Sequence, residues 1–198
     1  MPPDLDPSAE FGHVLIVCTG NVCRSPYIER LLARELVGTG IVVSSAGTGA
    51  LVGAPMDAQS ASRVTAAGAD ADGFAARQLS REIVASADLI ISATREHLAS
   101  VVPVHPRALR YSFALHDLKD LLADVSDFDI AETPGRNRVA KVAAVAIGRR
   151  GIVHPRLPET SGIVDPFRSD ASVFDQMVRE IGTSLPTVVN ALRGDHHS

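Results

Sequence analysis

Cysteine is scarce: the chain of 198 residues holds two, Cys18 and Cys23. Two thiols within one short segment cannot staple a secreted domain, so a reducing cytoplasmic setting is expected. Basic charge is also limited, with 19 Lys and Arg against 23 Asp and Glu. That balance, with no dense Lys/Arg run, excludes the electrostatic footprint of a nucleic-acid binder. No apolar stretch approaches the ~20 residues that cross a bilayer, so no membrane association is expected. Met1–Glu10 carries three prolines and several acids in place of a basic start and an apolar core. No secretory signal is therefore expected there. Residues 1–10 read as a disordered tail and 195–198 as a second, short one.

What remains is ordinary for a soluble globular protein: 45% hydrophobic and 21% charged residues. The length suits one domain with a substantial core. Short apolar runs at His13–Val17, Ile41–Ser45 and Asp88–Ser92, with a further one near 107–113, alternate with helical patterns. Helices are predicted over 26–37, 56–67, 94–102 and 114–123, with a helical turn at 80–86. A last helix carries Phe174, Met177, Val178, Ile181, Leu185, Val188, Val189 and Leu192 on one face, and Pro186 should kink or break it. Strands alternating with helices imply a parallel sheet with right-handed crossovers. The expected fold is α/β, a three-layer sandwich with a four-stranded parallel sheet flanked by helices.

The most informative stretch is Val14–Pro26, where a buried strand runs through Cys18-Thr19-Gly20-Asn21-Val22-Cys23-Arg24 into Ser25-Pro26. Ser25 suits a helix N-cap and Pro26 the first helical position. Loop N–H groups backed by a helix N-terminus form an anion cradle, and the same positive potential favours thiolate over thiol at Cys18. Arg24 adds a planar fork of donors matched to phosphate oxygens. A nucleophile and an anion clamp thus converge.

Cys18-Thr19-Gly20-Asn21-Val22-Cys23-Arg24-Ser25-Pro26 resembles the phosphate-binding loop of the low-molecular-weight protein tyrosine phosphatases. The resemblance extends through Ser45-Ala46-Gly47-Thr48 and Ala76-Arg77-Gln78-Leu79 to Asp165-Pro166-Phe167, over roughly 13–115 and 162–193. It implies metal-independent phosphotyrosine hydrolysis through a cysteinyl-phosphate, with no cofactor. Cys18 would be the nucleophile, Arg24 the clamp and Asp165 the general acid, with Thr19 to Ser25 holding phosphate. The Ser25 hydroxyl would bond the sulfur and Ser45 would brace Asn21, while Leu51 (or Val52) and Phe167 would wall the pocket. The family ties its Asn to a His as well, at a position where this chain has Phe74, and the stiffness of the loop is in question there. A phosphotyrosine protein is the implied partner, with a tyrosine kinase of polysaccharide export as the family-level guess.

Alternatives on the same loop are a phosphoarginine phosphatase, whose loops carry Thr where this one has Val22, and a non-catalytic phosphate-binding module. Cys23 reads equally well as core filler or as a redox partner of Cys18. Arg168 reads as solvated or as a contact for acidic groups beside the phosphoresidue. Residues 123–161 read as an insertion within a single domain over 11–194. There Gly135–Arg150 forms an amphipathic helix with a solvated basic face, preceded by an acidic run at Asp124–Glu132.

Overall fold

The computed structural model describes residues 11–194; the tails expected at 1–10 and 195–198 lie outside the described residues. Strand β1 spans His13–Cys18, β2 Val42–Gly47, β3 Leu89–Ser92 and β4 Ser112–Ala114. They pair in parallel in the order β2-β1-β3-β4, with Ile16 opposite Ser45 and Ile91. The central strand β1 is buried along its whole length, which is why its sequence is an unbroken apolar run and not an alternating one.

Helices cover both faces. On one face Leu15, Val17 and Ile90 pack with Val84 of α3 (Arg81–Ser86) and Val101 of α4 (Arg95–Val104). On the other, Val14, Ile16, Leu89 and Ile91 share a core with Ile130 of a short helix and with five further helices. The five are α1 (Arg24–Glu35), α2 (Ala58–Ala66), α5 (Leu115–Leu122), α7 (Arg138–Gly148) and α8 (Ala171–Arg193). The short helix is α6, Asp127–Glu132, which precedes α7. The α/β sandwich with a four-stranded parallel sheet stands as expected.

Several local expectations change. The run at 107–113 is mostly not a strand: Pro106–Arg110 forms a 3₁₀ turn, and only Ser112–Ala114 pairs with β3. Pro106 opens that turn because its fixed φ suits a helical first position and its missing N–H would be unbonded there. Pro186 does not break α8, which runs through it without interruption. The carbonyl that loses its donor belongs to Gly182, and both residues are exposed, so water can take the bond. The basic residues of 135–150, of which Arg136 precedes α7, are not simply solvated. Arg138 pairs with Asp127 at 2.5 Å, Arg136 with Asp88 at 2.6 Å, and Lys141 donates to the Ala131 carbonyl at 2.6 Å. Meanwhile Val139, Val142, Ala143 and Ala146 join the core.

Candidate active site

The carboxyl end of β1 delivers Cys18 to the sheet edge, and α1 starts six residues later, so the loop 18–24 wraps the helix N-terminus. Its carbonyls face outward. Those of Cys18, Thr19 and Gly20 accept from Thr48, Gly49 and Leu51 at 2.9, 3.0 and 3.0 Å, and that of Val22 from Asp57 at 2.8 Å. Among the described hydrogen bonds, none of the N–H groups from Thr19 to Cys23 has a protein acceptor. A peptide loop with its carbonyls turned out and its N–H groups turned in is an anion nest. Two backbone features permit it. Asn21 sits at φ 54°, the left-handed region that Asn tolerates. Gly47 lets β2 approach, since a Cβ there would lie 2.3 Å from the Thr19 carbonyl oxygen.

Arg24 lies buried at the mouth of this nest. Its Nη1 donates to the Ile163 carbonyl at 3.4 Å, its Nη2 meets Asp165 Oδ2 at 2.8 Å, and its buried Nε has no partner. Arg24 lines the same cavity as the loop, so its guanidinium adds charged donors beside the nest. Cys18, Thr19, Gly20, Val22, Cys23, Arg24, Gly49, Leu51, Asp165 and Phe167 enclose a cavity of about 140 Å³. Leu51 and Phe167 form its half-exposed rim, as expected, whereas Val52 lies outside it. Arg168, at φ 61°, places its guanidinium 5.2 Å from the centre of the Phe167 ring.

The hydrogen bonds beneath the loop have a fixed direction. The Arg77 backbone N–H can only donate, and it does so to Asn21 Oδ1 at 2.8 Å. The Asn21 amide is thereby oriented, and its Nδ2 donates to Ser25 Oγ at 2.9 Å and to Ser45 Oγ at 2.7 Å. Ser45 in turn donates a hydrogen bond from its own hydroxyl to Glu29. Ser25, already accepting from Asn21, has its proton free for Cys18 Sγ, 2.9 Å away. Ser25 is therefore not the helix cap expected of it. The cap position belongs to Cys23, with no side-chain bond, and Ser25 lies inside α1 where its hydroxyl reaches back to the sulfur.

Three supporting residues were not singled out from the sequence. Glu29 was legible in principle, being four residues after Ser25 on the same helix face. Its carboxyl is pushed above the usual range by burial, opposed by the Ser45 bond and by Arg30 and Arg77. Arg77 acts through its backbone and also clamps the Ser45 carbonyl, with Nε at 3.1 Å and Nη2 at 2.9 Å. Both bond into the Asn21–Ser45 network, while the ring of Phe74 meets Arg30 at 5.8 Å. The third is His97. Its Nδ1 accepts from the Thr94 N–H at 3.2 Å, which leaves the proton on Nε2 to donate to Thr19 Oγ1 at 2.9 Å. Burial, then the Arg24 charge, push its pKa down to about 4, so the ring is neutral. Cys23 is a free, buried thiol that lines the same cavity as Cys18; burial first, then the Asp57 charge, push its pKa up to about 12.

The model of the low molecular weight phosphotyrosine protein phosphatases matches residues 13–139, and the chain belongs to this family. Etp, a low molecular weight protein-tyrosine-phosphatase of Escherichia coli, is 42% identical over 49% of this chain; the match spans 64% of Etp. EpsP of Ralstonia nicotianae, whose name places it in the same class, is 32% identical over 70% of this chain and 90% of its own length. The fold also matches the YwlE arginine phosphatase of Geobacillus stearothermophilus, with TM-score 0.66 and 23% identity, over 94% of this chain and 99% of that one.

Proposed function

We propose that this chain hydrolyses phosphotyrosine on proteins through a cysteinyl-phosphate, without a metal or other cofactor. The observation that carries the proposal is the nest of N–H groups without a protein acceptor among the described hydrogen bonds, with Arg24 and Cys18 lining the same cavity. The thiolate attacks phosphorus in line with the departing phenolic oxygen. The nest and Arg24 hold the three equatorial oxygens, where charge is greatest in the transition state. Ser25 donates to the sulfur, stabilising it both as thiolate and as the group that leaves in the second step. Asp165, a carboxylate while paired with Arg24, takes a proton from solvent as the pair opens and gives it to the phenolic oxygen, then takes one from the water that attacks the phosphoenzyme. For this the Arg24–Asp165 pair must part, so that Arg24 turns to the phosphoryl group and Asp165 to the leaving oxygen.

The substrate is assigned to the phosphotyrosine class because Val22, Leu51 and Phe167 present apolar walls to a flat ring. A cytoplasmic tyrosine kinase of polysaccharide export is the proposed partner, with no role for nucleic acid or membrane. Among the described residues no helix is long and apolar enough to cross a membrane. The domain is proposed to run over 11–194, with 123–161 as an insertion. The deciding test is turnover of a phosphotyrosine peptide in a metal chelator, with Cys18→Ser as the control. Acid quenching and mass spectrometry should find phosphate on Cys18 and nowhere else. A chain that binds phosphate but releases none from the peptide would be a binding module instead.

A further inference from the structure

A larger cavity, of about 500 Å³, lies away from Cys18 between α4, the 3₁₀ turn, β4, α5 and the segment 150–156. Small-molecule sites occupy roughly 300–1,000 Å³ and are mostly apolar with a few convergent polar groups. This one has an apolar floor of Leu98, Leu109, Phe113, Leu121 and Val153. Three arginines reach it, and two are already neutralised. Arg95 grips Asp117 by two bonds of 2.7 Å, and Arg156 grips Asp120 at 2.5 and 2.9 Å. The third, Arg150, has no carboxylate partner among the described ion pairs. Its guanidinium lies 4.3 Å over the Phe113 ring, with Nη1 donating to the Leu109 carbonyl at 2.9 Å and Nη2 to that of Ser112. The cavity therefore carries one uncompensated positive charge against an apolar wall. Burial lowers the Arg150 pKa, the sense expected of a cation with no counterion, and Asp117 only partly offsets it.

We infer that this cavity is an effector site for a small monoanionic carboxylate with an apolar body, seated against Leu98, Leu109 and Val153 with its carboxylate on Arg150. A dianion suits it less, because Asp117 and Asp120 stand in the same wall. Both walls connect to the phosphate loop and Arg24 through a short series of contacts. Arg95 opens α4 next to Thr94, which binds His97, which in turn donates to Thr19 of the phosphate loop. Arg95 also donates to the Arg156 carbonyl at 3.2 Å. Beyond Arg156 the chain reaches Ile163, whose N–H bonds the Ala93 carbonyl at 2.9 Å and whose own carbonyl receives Arg24. An occupant that shifts Arg95 or Arg156 therefore shifts the phosphate loop and the segment that carries Asp165. The effect on turnover, though not the binding, rests on the proposed phosphatase activity.

The test uses the full chain and 2-naphthoate, with 2-naphthylmethanol as its neutral counterpart. Calorimetry in saturating inorganic phosphate should show one equivalent of naphthoate bound, and the alcohol at least tenfold weaker. Arg150→Gln should weaken naphthoate at least tenfold. Leu109→Glu, at an exposed position in the cavity wall, should abolish binding by placing a carboxylate beside Arg150. In parallel, naphthoate should change kcat for p-nitrophenyl phosphate at unchanged KM. Binding that phosphate displaces, or that neither variant affects, or that the alcohol matches, overturns the site. Binding that leaves kcat untouched overturns the coupling. Absence of turnover with binding intact would sink the phosphatase proposal and leave the site standing.

Discussion

Arg24 Nη2 and Asp165 Oδ2 lie 2.8 Å apart, so the phosphate clamp and the proposed acid are each other's partners. The carboxylate occupies a donor that a phosphoryl oxygen needs, and it places negative charge beside an anion site. Asp165→Asn should therefore bind inorganic phosphate several-fold more tightly while lowering kcat. The loss should be larger for a phosphotyrosine peptide than for p-nitrophenyl phosphate, whose phenol leaves with little protonic help. Competitive inhibition and kcat on both substrates measure this. Equal losses on the two would assign Asp165 a structural role.

The Ser25 hydroxyl is expected to matter to reactivity more than to folding. A hydrogen bond to a charged group contributes about 1.5–3 kcal/mol, so Ser25→Ala should lower kcat roughly 10- to 150-fold. The rate of iodoacetate alkylation of Cys18 at neutral pH should fall in the same variant. Unchanged alkylation would detach the 2.9 Å Sγ–Oγ contact from the chemistry.

His97 makes stability depend on pH. Its folded pKa is about 4, below the ordinary 6.5, because burial and Arg24 oppose its charged form while Glu96 and Asp165 only partly favour it. The unfolded chain binds the extra proton between these values. Stability is thus full above pH 6.5, falls as the pH drops toward 4, and levels off below. The loss is on the order of 2–3 kcal/mol. Urea unfolding at pH 7 and pH 5 should show a smaller difference for His97→Gln than for the parent. An identical difference would mean that other groups carry the effect.

Mild peroxide should oxidise Cys18 without trapping it as a disulfide. Thiolates condense with sulfenic acid, and Cys23, with its pKa pushed up to about 12, is a thiol at neutral pH. Mass spectrometry should find sulfenic and sulfinic acid on Cys18 beside unmodified Cys23. A Cys18–Cys23 disulfide as the main product would show that the second thiol is less confined than its burial indicates.

Substrate choice tests the pocket walls. A phosphoarginine guanidinium entering beside Val22 would lose water from its N–H groups and find no acceptor, a penalty of about 1–3 kcal/mol. Phosphotyrosine should exceed phosphoarginine by roughly 5- to 150-fold in kcat/KM, and Val22→Thr should narrow the gap. Peptides differing only in the phosphoresidue decide it, and parity in the parent would move the specificity to phosphoarginine.

Much of this protein was legible in one contiguous stretch. A strand, an anion loop and a helix start are local features, and Cys18, Arg24 and the left-handed Asn21 follow from spacing and backbone preference alone. The parallel sheet was legible for a similar reason, because fully buried strands need unbroken apolar runs. Ser25 marks the limit. Its identity suggests a cap, yet its hydroxyl turns to the sulfur because Asn21, held by the Arg77 N–H 56 residues away, already fills its acceptor side. The pairing of Asp165 with Arg24, the neutral state of His97 and the uncompensated Arg150 are likewise tertiary. Each depends on which charges and dipoles the packed chain brings within a few ångströms, across separations that no local pattern encodes.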